Sequence, residues 1–521
     1  MIPALNFAER PEAIRVRSPP FGITGPLAAA SQISQWLTEC ALLCHADQRS
    51  CTNLCHPSVA PPLPTRTLEI ASPTEVRLYI NDQKDPQCAR YACLSHCWGN
   101  TTFIQTTASN LKAHERNVPW VDIPQTFRDA INVVWRLGLR YLWIDSLCIV
   151  QDDRNDWRHE GSKMASIYSQ SYITLAATAA SRPWRGLFSK TPAQEIAKRI
   201  RVANNPQDEF DIWVNSVSLD MLREDNEWPL LKRAWVFQER YLSPRVVHFT
   251  SREMVWECKT IGTCECGFEE NDDDESTLIH SEDFPISRFW KNSPDDPEFK
   301  AQDNWHQIVA EYTALELSFE TDIFPALQGV ARVMQSQRQT GYYAGLWGDS
   351  FLLDLSWAYS ESHRSAVYRA PSWSWATHVG SVWYNYGRAG RPYSIQASVK
   401  SVKTVPVGLD PLGAINYGEL CIQGRCVSAL DLELKRKPDS TLEGWRLDVT
   451  NDDDHDYSQT VLIEILTGKD SIGVFFKKVC IALEPTNESK EAYRRIGLVE
   501  LRDSRWPLFD KKATVQTLTI I

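Results

Sequence analysis

Two short apolar segments that each end in polar side chains constrain the fold of this 521-residue chain most strongly. The first, Tyr91–Ser95, runs directly into His96 and Trp98. The second, Tyr141–Ile144, ends at Asp145 and is apolar on both faces, as a strand buried in a parallel sheet should be. Because the carboxyl ends of such strands deliver residues to a site, the sequence predicts a site at this edge.

Strand and helix patterns alternate through the first half of the chain. Thr126–Leu137 has apolar residues at helical spacing, and Gly138 stands where that helix would end. Asp156–Tyr168 has the pattern of a second helix, whereas Arg245–Phe249 and Glu253–Cys258 look like a strand pair. This rhythm predicts an α/β fold in which helices flank a mostly parallel sheet.

A chain of this length is too long for one ordinary core, so we expect more than one domain. Changes in composition along the chain suggest where the domain boundaries lie. Acidic, proline-punctuated sequence interrupts the strand–helix rhythm, and period-two patterns near the end predict a β-rich region. The predicted divisions are a cysteine-containing N-terminal extension (1–64), an α/β domain (65–262), an acidic insertion or linker (263–300) and a helical, then β-rich C-terminal region (301–521).

Charge and hydropathy argue against several classes of protein for this chain. A formal net charge of −11 argues against a general nucleic-acid binder, because no basic field exists to release counterions. Neither a signal-peptide pattern nor an apolar run long enough to span a membrane is seen. We therefore expect a cytoplasmic protein whose cysteines are mostly reduced, and whose twenty tryptophans line its interior or a ligand cleft.

Three segments resemble, in order and spacing, the signatures of the HET (heterokaryon incompatibility) domain of filamentous fungi. They are Leu94–Gly99, Tyr141–Gln151 with the helix that follows it, and Arg233–Arg245. The resemblance implies a HET-like α/β core and a role in self/non-self recognition and programmed cell death, with another HET-type recognition protein as a candidate partner. HET domains have been suggested to be distant relatives of TIR domains, some of which cleave NAD with a catalytic Glu. The resemblance therefore also implies action on a nucleotide.

Three residues are candidates for catalysis: Glu160, Asp145 and His96. Helical spacing places Glu160 at the edge of an apolar stripe, where a half-buried carboxylate either has a raised pKa and acts as an acid or base, or forms a salt bridge to an arginine such as Arg233. Asp145 either anchors a neighbouring loop or helix or acts as an acid or base, and His96 lies either in a cleft or in a structural turn. A Cys148–His96 nucleophilic pair is also conceivable, but nothing local predicts a lowered thiol pKa.

A further set of residues, mostly aromatic or polar, is predicted to bind a substrate. Two roles are open for Gln238. A buried amide needs hydrogen-bond partners, so it either forms hydrogen bonds within the core or points at a ligand. The predicted substrate-binding residues are Ser95, Trp98, Trp143, Trp157, Arg233, Trp235, Gln238 and Glu239.

Four cysteines near the N-terminus, Cys40, Cys44, Cys51 and Cys55, invite a zinc hypothesis. Their spacing is C-x3-C-x6-C-x3-C rather than the familiar C-x2-C, so buried thiols in a helical hairpin are favoured. Common nucleotide-binding and zinc-protease motifs are absent from the sequence. The sequence accordingly predicts no metal and no cofactor.

Three functions remain open at the level of sequence. The leading hypothesis is a HET protein of the incompatibility and cell-death type that acts on a nucleotide, for instance as an NAD-cleaving hydrolase. The alternative is a stand-alone enzyme of fungal secondary metabolism, a cyclase or Diels–Alderase that binds a small hydrophobic metabolite in an aromatic pocket. The third is a non-catalytic binding protein.

Overall fold

The computed structural model of the chain describes most of the residues outside the N-terminus and the acidic segment. The described residues are 25–46, 59–189, 198–203, 209–214, 228–251, 253–259, 262–265, 301–384, 393–408, 410–432, 434, 444–448, 457–469, 476–486, 489–501 and 505–521. None of the helices in these ranges combines the length and apolar character needed to cross a membrane.

The chain divides into two compact units. The first unit comprises 1–163, 167–230 and 243–288, and the second comprises 164–166, 231–242 and 289–521. Both units include residues of the predicted α/β domain, because the helix after the second signature and the helix of the third contribute to the second unit.

The first unit is built on an eight-stranded sheet, and a separate two-stranded sheet accompanies it. The strands of this unit are β1 Arg66–Ser72, β2 Glu75–Ile80, β3 Tyr91–Ser95, β4 Tyr141–Trp143, β5 Ile173–Ala176, β6 Lys198–Ala203, β7 Glu209–Val214, β8 Arg245–Phe249, β9 Met254–Cys258 and β10 Gly262–Cys264. The spatial order in the larger sheet is β10-β9-β8-β5-β3-β4-β1-β2.

This sheet is mixed, so the prediction of a mostly parallel sheet was wrong. Its centre is parallel, because β8, β5, β3 and β4 pair in that sense. The outer pairs, from β10 to β8 and from β4 to β2, are antiparallel. The physical reason lies in the connections: β1 and β2 are joined by a tight turn, and only a long crossover can make neighbouring strands parallel.

The helices of the first unit bear out the predicted spacing. They are α1 Pro26–Ala46, α2 Leu111–His114, α3 Gln125–Arg136, α4 Asp145–Cys148 and α5 Arg154–Ser169. Helix α3 buries Phe127, Ala130, Ile131 and Val134, the apolar residues on which its prediction rested. Gly138 follows with φ of +72°, a left-handed conformation that glycine adopts without steric cost and that ends the helix.

The order of the central strands creates a topological switch at β3. The chain passes from β3 to β4 on one side of it, and then from β4 to β5 on the other side. In open α/β sheets such a reversal leaves a crevice outside the carboxyl ends of the strands, where ligands bind. Ser95 closes β3 at this point, and Asp145 follows β4 beside it.

The second unit contains helices followed by a large sheet. The helices are α6 Ala234–Leu242, α7 Ala301–Thr313, α8 Gln328–Arg338, α9 Phe351–Asp354 and α10 Trp506–Lys512. The strands are β11 Tyr342–Tyr343, β12 Leu346–Trp347, β13 Trp357–Arg364, β14 His378–Tyr384, β15 Tyr393–Ile395, β16 Ser398–Pro406, β17 Ile415–Ser428, β18 Gly444–Leu447, β19 Val461–Lys469, β20 Phe476–Thr486, β21 Ser489–Leu501 and β22 Thr514–Ile520.

The β-rich C-terminal region that the period-two patterns predicted is present. An eight-stranded sheet orders β15-β19-β20-β21-β22-β17-β16, and β18 pairs with β21. Because β17 also pairs with β19, five strands close a circuit of hydrogen-bonded neighbours. Fully buried tryptophans pack the core of this unit: Trp305, Trp347, Trp357, Trp373 and Trp375.

Candidate functional site

Asp145 is the centre of a polar cluster at the carboxyl ends of β3 and β4. One carboxylate oxygen accepts a hydrogen bond from the Trp98 indole nitrogen at 2.8 Å. The other accepts from the Ser146 backbone nitrogen at 2.7 Å and lies 3.7 Å from His96 Nδ1. The structure therefore brings together three of the residues predicted from separate segments. Asp145 anchors the first turn of α4, and it also holds the indole beside the imidazole.

Two aromatic rings form a wall behind this cluster. The His96 ring lies edge-on to Phe127 at a centroid separation of 4.8 Å, and Trp98 lies edge-on to Phe103 at 5.6 Å. Phe103 and Phe127 also contact each other edge-on. His96 is only 4 % exposed, so its imidazole lies inside this wall, whereas Trp98 and Asp145 are half-buried.

Two buried hydroxyls at the carboxyl ends of β3 and β4 lack a hydrogen-bond partner within the described part of the chain. They belong to Ser95, the last residue of β3, and to Ser146, the first residue after Asp145. A buried polar atom without a partner is costly, so each such group calls for an explanation such as a ligand or water. Ser146 was not singled out from the sequence, although its place directly after a strand-end carboxylate was the signal that could have identified it.

Gly99 allows the loop that carries Trp98 to pack closely against residues 181–182. Its φ is +62°, and an added Cβ would lie 2.9 Å from the Cβ of Arg182 and 3.1 Å from the Ser181 carbonyl oxygen. Both the backbone conformation and the close approach require glycine. The position of Trp98 over Asp145 thus depends on its neighbour in the sequence.

Glu160 lies buried in α5 and forms an ion pair with a lysine rather than with an arginine. Its Oε1 accepts from Lys163 Nζ at 3.1 Å, and the same ammonium donates to Thr65 Oγ1 at 2.8 Å. The Oε2 atom has no hydrogen-bond partner among the described residues. Within those residues, no hydrogen bond or ion pair joins Glu160 to Asp145.

The two tryptophans predicted beside these carboxylates have different surroundings. Trp143 is fully buried and packs edge-on against Tyr168 at 5.6 Å, so it belongs to the core of the first unit. Trp157 is 38 % exposed. Cys148, the conceivable nucleophile, is fully buried, and that burial raises the pKa of its thiol to about 12. A thiol in this state is neutral at physiological pH and a poor nucleophile.

Residues 233–242 of the third signature lie in the second unit. The side-chain oxygen of Gln238 accepts from the Gly329 backbone nitrogen at 2.6 Å, which ties α6 to the start of α8. The Trp235 indole donates to Asp322 at 3.1 Å, and Arg233 forms an isolated backbone bridge with Glu316.

These contacts join residues 233–242 to other parts of the second unit. The Gln238 oxygen makes one of them, whereas the nitrogen of the same amide is buried without a hydrogen-bond partner among the described residues. Glu239 is also buried, with 7 % of its surface exposed.

The zinc hypothesis falls largely outside the described residues. Cys51 and Cys55 are not among them, and the side chain of Cys44 is not described either. Cys40 is a buried cysteine on α1. In the ranges that the structure covers, no group of three or more His, Cys, Asp or Glu side chains is placed to hold a metal ion.

Comparison with known proteins supports the family suggested by the motifs. The family model described as "Heterokaryon incompatibility protein (HET)" matches residues 91–239, which include the Asp145 cluster, Glu160 and Gln238. No curated protein and no solved structure matches the chain at a significant level. The three signatures and the family match agree on the same part of the chain, so residues 91–239 belong to the HET domain family.

Proposed function

We propose that this protein is an effector of programmed cell death in fungal incompatibility, and that its HET domain acts on a nucleotide at the Asp145 cluster. The observation that carries the proposal is the position of the cluster. Asp145, Trp98 and His96 meet where the strand order reverses, which is where α/β sheets bind ligands.

The chemistry of the cluster suits a nucleotide. A carboxylate accepts hydrogen bonds from ribose hydroxyls, and each Asp145 oxygen keeps a second lone pair beyond the bond that it already makes. A half-buried indole such as Trp98 offers a face on which a base can stack. The unpartnered hydroxyls of Ser95 and Ser146 would add donors for phosphate or ribose oxygens.

Glu160 is proposed as the second carboxylate of this activity. The support for it is a nearly fully buried side chain whose Oε2 lacks a partner in the described part of the chain. Its ion pair with Lys163 equally fits a structural role, so the two roles must be separated by experiment.

The test is expression in a filamentous fungus together with an assay of the purified protein. Wild-type protein should arrest growth and should release nicotinamide from NAD. Asp145→Asn removes the charge but preserves the shape, and we expect it to lose both activities. Asp85→Asn, a change at an exposed position of the same unit, is the matched control and should retain both.

Glu160→Gln separates catalysis from folding in the same assays. Loss of nicotinamide release by a variant that still melts within a few degrees of wild type would support catalysis by Glu160. If wild-type protein arrests growth and leaves NAD and other nucleotides intact, the nucleotide part of the proposal is wrong, and a non-catalytic binding role is favoured.

No observation favours the alternative of a cyclase. That hypothesis predicts a neutral pocket lined by tryptophans, whereas the large buried tryptophans of the second unit pack on each other and on backbone groups. Trp305 and Trp347 lie edge-on at 5.5 Å, and the Trp305 and Trp375 indoles both donate to the Gly345 carbonyl oxygen at 2.9 Å.

A further inference from the structure

A cavity in the second unit is lined by four arginines. It has a volume of about 280 Å³, and its walls come from residues 364–378, Leu447 and Asp448, Tyr457, and residues 494–496. The arginines are Arg364, Arg369, Arg494 and Arg495. Such a concentration of positive charge is unexpected in a chain whose formal net charge is −11.

Among the residues that the structure covers, one of the four guanidinium groups is fully neutralised. Arg495 pairs with Asp448 at 3.0 Å, donates to the carbonyl oxygens of Leu355 at 2.7 Å and Trp357 at 2.6 Å, and stacks on the Trp357 ring. Because its charge and its donors are satisfied, Arg495 is part of the framework. Asp448 is engaged in this ion pair and does not neutralise the other three arginines.

Arg369, in contrast to Arg495, is buried without a charged partner among the described residues. It is only 6 % exposed, yet it makes no hydrogen bond or ion pair with any residue that the structure describes, and its Nε is buried without a partner. Glu320 is near enough to favour the charged form electrostatically, but its carboxylate accepts from Ser365 at 2.5 Å instead. An unpaired buried guanidinium is costly, which indicates that an anion completes this site.

The remaining cationic groups add to the same field. Arg364 makes no ion pair among the described residues, and Arg494 has only a 3.9 Å contact with Glu484. The effect of this positive field is seen at His378. Burial, followed by the charges of the surrounding arginines, lowers the pKa of its imidazole to about 4. The imidazole is therefore neutral at physiological pH and adds no charge of its own.

We infer that this cavity is a second ligand site, independent of the Asp145 cluster, that binds the phosphoryl group of a small phosphorylated metabolite through Arg364, Arg369 and Arg494. Guanidinium groups match phosphate oxygens in geometry as well as charge, and several donors can share one phosphoryl group. A cavity of about 280 Å³ is at the lower end for small-molecule sites, so it admits a small metabolite rather than a folded partner. Apolar lining from Val367 and Ile496 is available to the organic part of the ligand.

The test is calorimetric titration of the full-length protein with defined probes. Inorganic phosphate and glucose 6-phosphate are compared with glucose, because a nucleoside or nucleotide would also bind at the Asp145 cluster. We expect both phosphorylated probes to bind, and glucose to show no detectable binding. Tighter binding of an organic phosphate than of inorganic phosphate assigns the site to a metabolite, whereas equal binding assigns it to the free anion.

Matched arginine variants locate the binding. Arg369→Gln and Arg364→Gln should each weaken phosphate binding by at least about tenfold, because each removes a charge-assisted contact. Arg332→Gln is the control, since Arg332 lies outside the cavity in an exposed ion pair with Asp410. We expect this variant to bind phosphate with the affinity of the wild type. Arg364 is exposed, so that variant remains informative if Arg369→Gln fails to fold.

Two outcomes would overturn the inference. One is that no phosphorylated probe binds at millimolar concentration. The other is that Arg364→Gln and Arg332→Gln bind phosphate equally well.

Discussion

Trp98 and Asp145 are separated by 47 positions in the chain, yet the indole nitrogen of one donates to the carboxylate of the other at 2.8 Å. The bond joins the loop after β3 to the helical turn after β4. Parallel pairing of these two strands makes the approach possible, because it puts both carboxyl ends at one edge of the sheet. The cluster proposed as the nucleotide site is therefore held together by a contact between two signature segments.

Replacement of Trp98 by phenylalanine tests how much this contact contributes. Trp98→Phe keeps an aromatic ring beside Phe103 but removes the indole donor, and we expect a loss of about 1 kcal/mol in the free energy of unfolding, because water can partly replace the donor at a half-buried carboxylate. Urea unfolding measures the loss. Trp135→Phe is the control, since Trp135 is 40 % exposed, and its change should be near zero. Equal changes in the two variants would contradict a specific role for the bond.

Gly186 holds a loop against α3, and alanine there should be costly. Its φ is +88°, and an added Cβ would lie 2.8 Å from the buried carboxylate of Asp129. Gly138 also has a positive φ but has open space around the added atom. We expect Gly138→Ala to cost about 1 kcal/mol from backbone strain alone, and Gly186→Ala about 2–4 kcal/mol from strain and crowding. Thermal unfolding of both variants would refute this if Gly138→Ala proved the worse.

Cys148 should be inert towards alkylation in the folded protein. Burial raises the pKa of its thiol to about 12, whereas Cys88 is exposed in the same unit. With iodoacetamide at pH 8, mass spectrometry should find Cys88 modified and Cys148 unmodified, and both should react in denaturant. Modification of Cys148 in the native protein at a rate near that of Cys88 would revive the hypothesis of a Cys148–His96 pair.

His378 should make stability depend on pH between about 4 and 6.5. Its pKa is lowered to about 4 in the folded protein, from 6.5 in its ordinary state, so in this range the unfolded chain binds the proton more readily. The contribution of His378 is therefore present above pH 6.5 and is lost as the pH falls towards 4. We expect His378→Gln to flatten this dependence by about 2 kcal/mol.

Denaturant unfolding at several pH values measures that change as a difference between the two proteins. The comparison is needed because burial also raises the pKa of Asp448 to about 6, and its titration has the opposite sign: stability falls as the pH rises through that range. Identical pH profiles for wild type and His378→Gln would show that His378 is not held in its neutral form.

The local patterns of the sequence determined the elements and the family. Apolar spacing predicted helix α3, and the two apolar runs predicted the strands that end at Ser95 and close to Asp145. These features depend on neighbours within one or two turns, which is the range over which side-chain periodicity acts. For the same reason, three signature segments were enough to indicate the HET family before any contact was known.

The tertiary structure decided which partners those side chains meet. Glu160 pairs with Lys163, Gln238 accepts from Gly329, and Trp143 packs in the core, although the sequence left each of these open to a ligand. The unpaired guanidinium of Arg369 was not anticipated at all, because its cavity is assembled from segments more than a hundred positions apart. Burial and pairing of polar groups depend on long-range packing, which local spacing does not encode. That is why the elements could be predicted from the sequence, while the partners of their side chains emerged only from the fold.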